Sequence, residues 1–158
     1  MKNICTFIIA CMTASTALFA QTENQDQDFF KAIFGVDKIT IVKDFIEVAP
    51  ENEAEFWETY KEYEAERKEL RALRIALITD YAENYTNLSD EKIDDLCKES
   101  FKQNEKTGKI IKKYYKKLRK DGGSRAAGQF LQMENYFLSL SKTAVFENVP
   151  FIGELDKI

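Results

Sequence analysis

Phe56, Tyr60, Tyr63, Arg67, Leu70, Arg74, Leu77 and Tyr81 follow one another at alternating steps of four and three residues, the spacing that holds side chains on one face of an α-helix. Leu73 and Ala76 widen the stripe. The pattern predicts one helix of about 34 residues starting near Pro50, roughly 50 Å long at the α-helical rise. Pro50 suits the first turn, where the amide hydrogen it lacks is unpaired anyway. Glu51, Glu53 and Glu55 complement the positive end of the helix dipole. A helix of that length must bury its stripe against other elements, so its partners decide the fold.

A second helix follows after a short connection, Tyr85 to Leu88, with Ser89 as N-cap and Asp90 and Glu91 in the first turn. Its seam is Ile93, Cys97, Ser100, Asn104, Thr107, Ile111, Tyr114 and Leu118, apolar at both ends and polar beside Gly108 in the middle. Such a polar waist acts as a register device or marks a weakly packed stretch. Asp121-Gly122-Gly123 stops this helix, and Ser124 caps a third that runs to about Phe146, with Ala127, Phe130, Leu131, Phe137, Leu138, Leu140, Ala144 and Val145 facing inward. Pro150 prevents its continuation. The fold class predicted is all-α, a long antiparallel helical hairpin with flanking helices.

A connection this short makes the two long helices antiparallel, and the register that follows sets Tyr60 opposite Tyr114. Charge supports that orientation. The glutamate-rich residues 51–69 then face residues 105–120, where Lys106, Lys109, Lys112, Lys113, Lys116, Lys117, Arg119 and Lys120 are opposed by Glu105 alone. The lysine stretch therefore reads as a charge-paired, solvated face. With a formal net charge of -4, the chain has no global attraction to nucleic acid.

Residues 1–20 read as a signal peptide: Lys2, an apolar stretch from Ile4 to Ala10 that resumes at Ala17-Leu18-Phe19, and Ala20 at a cleavage point. Localisation is then periplasmic or secreted. Ile8-Ile9-Ala10-Cys11 resembles a lipobox, which makes lipidation at Cys11 the rival processing. Residues 21–28 are polar and read as a disordered leader, and residues 29–158 as a single helical domain. Phe29, Phe30, Ile33 and Phe34 fall at helical spacing before Gly35. Asp37 is placed to cap a helix over 38–48 with Ile39, Val42 and Ile46 on one face, although Ile39-Thr40-Ile41-Val42 would also suit a strand. Past residue 20 no apolar run approaches the roughly 20 residues of a membrane helix.

The whole chain contains no histidine, and no nucleophile with a base to activate it is recognisable. No catalytic residue, cofactor site or metal site is predicted. Glu51 with Glu55 and Glu58 with Glu62 have acid–base spacing, but glutamate-rich helices produce such pairs by chance. Cys97 is the one cysteine beyond the signal, and its place on the inward seam predicts a buried, inert thiol. Phe56, Trp57, Tyr60 and Tyr63, with Tyr114 and Tyr115 across the hairpin, form an aromatic end with more bulk than a two-helix seam covers, and within it Phe56, Trp57, Tyr60 and Tyr115 are singled out. They are the candidate protein-contact residues, with core packing under the third helix as the competing reading.

Val48-Ala49-Pro50-Glu51-Asn52 and Leu88-Ser89-Asp90-Glu91-Lys92 resemble degraded copies of the LTxxQ motif of the Spy/CpxP family of periplasmic proteins. More of the chain, from Asp37 to Ile152, resembles uncharacterised exported helical proteins of Bacteroidota. Phe56-Trp57-Glu58-Thr59-Tyr60, Asp80-Tyr81-Ala82 and Gln129-Phe130-Leu131-Gln132-Met133-Glu134 with Val149-Pro150-Phe151 carry that likeness. The second resemblance implies an envelope location and a helical fold. The first implies an ATP-independent chaperone or stress adaptor, usually a homodimer. The function expected is an exported protein that binds other proteins, with a structural or accessory envelope protein joined to a fixed partner as the alternative.

Overall fold

The computed structural model describes Lys31 and residues 34–154. The signal, the lipobox, the leader, and Phe29, Phe30 and Ile33 lie outside the described residues. Among the described residues three complete α-helices, α1 (Lys38–Phe45), α2 (Glu53–Asn84) and α3 (Asp90–Asn148), are joined by 3-10 turns at Pro50–Asn52 and Tyr85–Asn87. The fold is all-α, with no strand among the described residues.

The chain divides between Ile41 and Val42. Before that point Gly35, at φ 74°, ends a turn by donating its amide to the Lys31 carbonyl, and Lys31 pairs with Asp37 at 3.3 Å. The stretch that would also suit a strand is helical, and α1 ends at Phe45 instead of running to 48. Val42 and Ile46 are buried, whereas Ile39 of the same predicted face is exposed. Glu47 ties the segment after α1 to the far part of α3, its amide donating to Gln129 and its carboxylate pairing with Arg125.

Both long helices begin where the sequence signals place them, by different means. Ser89 accepts a hydrogen bond from the Lys92 amide, the geometry of a side-chain N-cap. The corresponding stretch before α2 has Ala49 and no side-chain cap, so Pro50 and a 3-10 turn open the helix instead.

One residue decides the topology. Gly123 sits inside α3 at φ 84° and ψ 175°, a backbone region open essentially to glycine alone. It breaks α3 into a first limb, residues 90–122, and a second, residues 124–148. Contacts fix their directions. Asp80 with Lys92, Leu73 with Gln103, Glu66 with Lys113 and Glu62 with Lys117 run the first limb antiparallel to α2. Tyr63 with Glu134 and Tyr81 with Pro150, just past the limb's end, run the second limb parallel to it. From Val42 onward the chain is thus an up-down-up arrangement of three helical limbs.

Charge pairing along the hairpin is present, though each exposed pair contributes only about 0.2 to 1 kcal/mol. Lys113 and Lys117 also lie 4.9 and 5.0 Å from the centre of the Tyr114 ring. The register lies about one helical turn along from the Tyr60–Tyr114 pairing: Tyr114 meets the Tyr63 ring at 5.4 Å and donates its hydroxyl to Glu66 at 2.8 Å. Phe56, Tyr60, Tyr63, Tyr114, Leu118 and Phe130 form the buried core next to the break. The rings meet edge to face, with Tyr63–Phe130 at 4.9 Å and Tyr60–Phe130 at 6.2 Å, an arrangement worth about 0.5 to 1.5 kcal/mol per pair beyond burial.

Gly122 is as constrained as its neighbour, because a Cβ there would fall 2.5 Å from Cδ2 of the buried Phe56. Gly108, on the first limb, has nothing within 4 Å of its Cβ position. Thermal melts of three single variants should therefore split. Gly108→Ala is expected to gain up to about 1 kcal/mol from helix propensity. Gly122→Ala should lose about 1 to 3 kcal/mol by overpacking, and Gly123→Ala at least about 1 kcal/mol by backbone strain. A Gly123→Ala protein that melts with the parent would show that the break is not glycine-dependent.

Candidate functional site

The aromatic end is closed. Phe56 and Tyr60 are 0% and 2% exposed, so neither offers a ring to a partner in this conformation. Only Trp57 and Tyr115, of the four predicted contact residues, keep partial exposure. Trp57 packs edge-on to Phe56 and Tyr60, with the Lys43 ammonium 5.6 Å from its ring centre. The second limb supplies the cover that a two-helix seam lacks, through Ala126, Ala127 and Phe130.

A buried acid lies at the inner edge of this core. Glu134 is 1% exposed and accepts the Tyr63 hydroxyl at 2.5 Å. Burial raises the hydroxyl pKa of both Tyr60 and Tyr63 well above the ordinary tyrosine value; the adjacent charge of Glu64 adds to the shift at Tyr60, and that of Glu134 at Tyr63.

Beyond Tyr63 the interior turns polar, where the seam of the first limb carries Ser100, Asn104 and Thr107. Arg67 is 7% exposed, and its Nε and Nη1 have no hydrogen-bond partner among the described residues. Its guanidinium stands 5.8 Å from the centre of the Tyr63 ring. Buried Gln103 donates to the Leu73 carbonyl at 3.1 Å, and its Oε1 is unpartnered. Two turns past Arg67, Arg74 makes one long hydrogen bond, 3.4 Å to Asn104 Oδ1, and has no carboxylate partner among the described residues. Burial and the neighbouring Arg67 charge lower its pKa. Arg71, by contrast, is paired with Glu64 at 3.0 Å.

Arg74 also lines an open groove of about 350 Å³ at the end of the bundle near the α2–α3 connection. Leu77 and Ile78 of α2, Ile93 and Leu96 of the first limb, and Val145 and Val149 of the second supply apolar walls. The chain after α3 forms a lip, held by the Tyr81 hydroxyl donating to the Pro150 carbonyl at 2.7 Å and by Phe151 stacked on Phe146 at 5.7 Å. Phe146, Phe151 and Ile152 remain 61%, 60% and 55% exposed. Cys97 lines the groove and is exposed, so the expectation of a buried thiol is corrected. Cys97 lies on the side of the first limb that faces the groove, and the rings of Tyr81 and Phe146 line the space there without filling it. The exposed groove was missed because aromatic bulk, concentrated at the opposite end, was the signal followed.

Among the described residues no group of three or more potential metal ligands occurs, and no helix is long and apolar enough to cross a membrane. No family model, curated protein or solved structure matches the chain.

The buried hydroxyls set a pH dependence. A folded-state tyrosine pKa above the unfolded value means that the native state holds its protons more tightly. The associated stability is complete below the unfolded pKa of about 10 and is lost as pH rises through the folded value. Urea midpoints measured between neutral pH and pH 11 should fall from about pH 10 upward, and less steeply in Tyr60→Phe. A midpoint that is flat across this range would contradict the burial of these rings.

Proposed function

We propose that this chain is an exported, non-catalytic protein that binds apolar segments of other proteins, acting as an ATP-independent holding chaperone at the groove. The open groove with its exposed Phe146, Phe151 and Ile152 carries this reading. An apolar concavity with aromatic lips left in contact with water is the surface that gains most from covering an unfolded segment. The lip adds adaptability, since it is a short turn beyond the last helix and not part of a packed limb.

The residue inventory supports binding over chemistry. The chain has no histidine to act as a base near neutral pH, and Cys97 lines a mostly apolar groove. The envelope location implied by the Bacteroidota resemblance belongs to the same proposal.

The purified protein, at an equimolar or lower ratio, should suppress light scattering from a thermally unfolding model substrate without ATP. Replacing Phe146 and Phe151 together by Ser should remove most of that suppression with little change in helicity, because both rings are more than half exposed. Trp57→Phe should retain it. Suppression that survives the groove change but is lost in Trp57→Phe would place the surface at the aromatic end. An inactive parent protein would favour the fixed-partner, accessory reading.

A further inference from the structure

Two arginines on one face of α2 stand between a filled core and an empty apolar groove. Arg67 is more than nine-tenths buried with two nitrogens unpartnered, and Arg74, seven residues on, lines the groove wall. A buried charge is ordinarily paired. Glu134 accepts the Tyr63 hydroxyl, and Glu64 is engaged with Arg71. The apolar groove opens beside the Arg74 guanidinium, which has no carboxylate partner among the described residues.

We infer that the groove and its arginine neck form a binding site for a free, single-chain fatty acid, with the carboxylate at Arg74 and the hydrocarbon along Leu77, Ile78, Ile93 and Val145. The inference rests on the reading above that the groove is a binding site, and it names a ligand class for it. The planar fork of Arg74 suits a carboxylate, which it can meet with two parallel hydrogen bonds. Only the 3.4 Å bond to Asn104 is surrendered in doing so. A volume of about 350 Å³ is at the small end of the range for small-molecule sites, roughly 300 to 1,000 Å³, as expected for one chain and not two. A monoanion matches the single guanidinium among the residues that line the groove.

The test is calorimetric titration of the purified protein with dodecanoate, dodecanol and dodecyltrimethylammonium, all below their micelle concentrations. Dodecanoate should bind on the order of tenfold tighter than dodecanol, the worth of a charge-assisted hydrogen bond, and the cation should bind weakest. Arg74→Met should bring dodecanoate and dodecanol to equal affinity while keeping the parent's helicity and melting temperature, and Arg74→Lys should restore part of the difference. Ile78→Asp should weaken both.

Equal affinities for dodecanoate and dodecanol in the parent, or a preference that persists in Arg74→Met, would overturn the inference. So would tighter binding of an apolar peptide with a free C-terminal carboxylate than of dodecanoate, which would assign the neck to protein ends. Failure to bind any amphiphile, with suppression of aggregation intact, overturns the fatty-acid site and leaves the groove reading standing. Loss of both removes the two together.

Discussion

The contact between the Gly122 backbone and the Phe56 ring is the point on which the bundle depends. A side chain at Gly122 would collide with that ring, and Gly123 beside it holds a conformation that other residues avoid. Together they let one continuous run of helix double back as two limbs, so the second limb lies along α2. Thr59 anchors the turn by donating to Asp121 at 2.7 Å, and Arg119 spans the break to Ser124 at 3.2 Å. Ser124, expected as an N-cap, therefore serves as the acceptor of that bridge. Packing of Ala126, Ala127 and Phe130 on Tyr60 and Tyr63 follows from the return path. Without the return, the aromatic stripe of α2 would have one helix to cover it.

A gradient along the bundle axis results. Near the break the three limbs meet through interlocked rings, and the space between them is full. In the middle, Arg67, Gln103 and Arg74 replace rings with long polar side chains, and buried atoms of Arg67 and Gln103 have no partner among the described residues. Towards the α2–α3 connection Leu, Ile and Val share the walls with Tyr81, Phe146 and Phe151, and the limbs stand around an open groove. Stability concentrated at one end permits an unfilled surface at the other. Buried polar groups without partners are costly, and of these three residues Arg74 is the one that lines the groove.

Much of this was legible in the sequence. The four-three stripe gave α2, Ser89 gave the start of α3, and the paired glycines gave its break, because each signal acts locally through backbone geometry or capping. The polar waist of the first limb was visible as well. What could not be read was which end of the stripe stays open. Phe56 and Tyr60 carry the most bulk and so invite a surface role, yet exposure depends on where the second limb lands, and that depends on the direction of one glycine. Cys97 shows the same limit, since it occupies the inward seam and is still exposed where nothing fills the seam. The register moved by a turn because the hydroxyl of Tyr114 reaches Glu66, a hydrogen bond that apolar periodicity does not encode.

Cys97 also offers the most direct measurement of whether the groove end is the binding end. In a chain beginning at Gln21, Cys97 is the one cysteine, and its alkylation rate can be followed under native conditions. An open groove requires the folded protein to react within about tenfold of the urea-unfolded chain, and a saturating unfolded client or dodecanoate to slow the reaction by about tenfold or more. A thiol that reacts only on unfolding, or one whose rate no bound molecule changes, would contradict the assignment of binding to this end of the bundle.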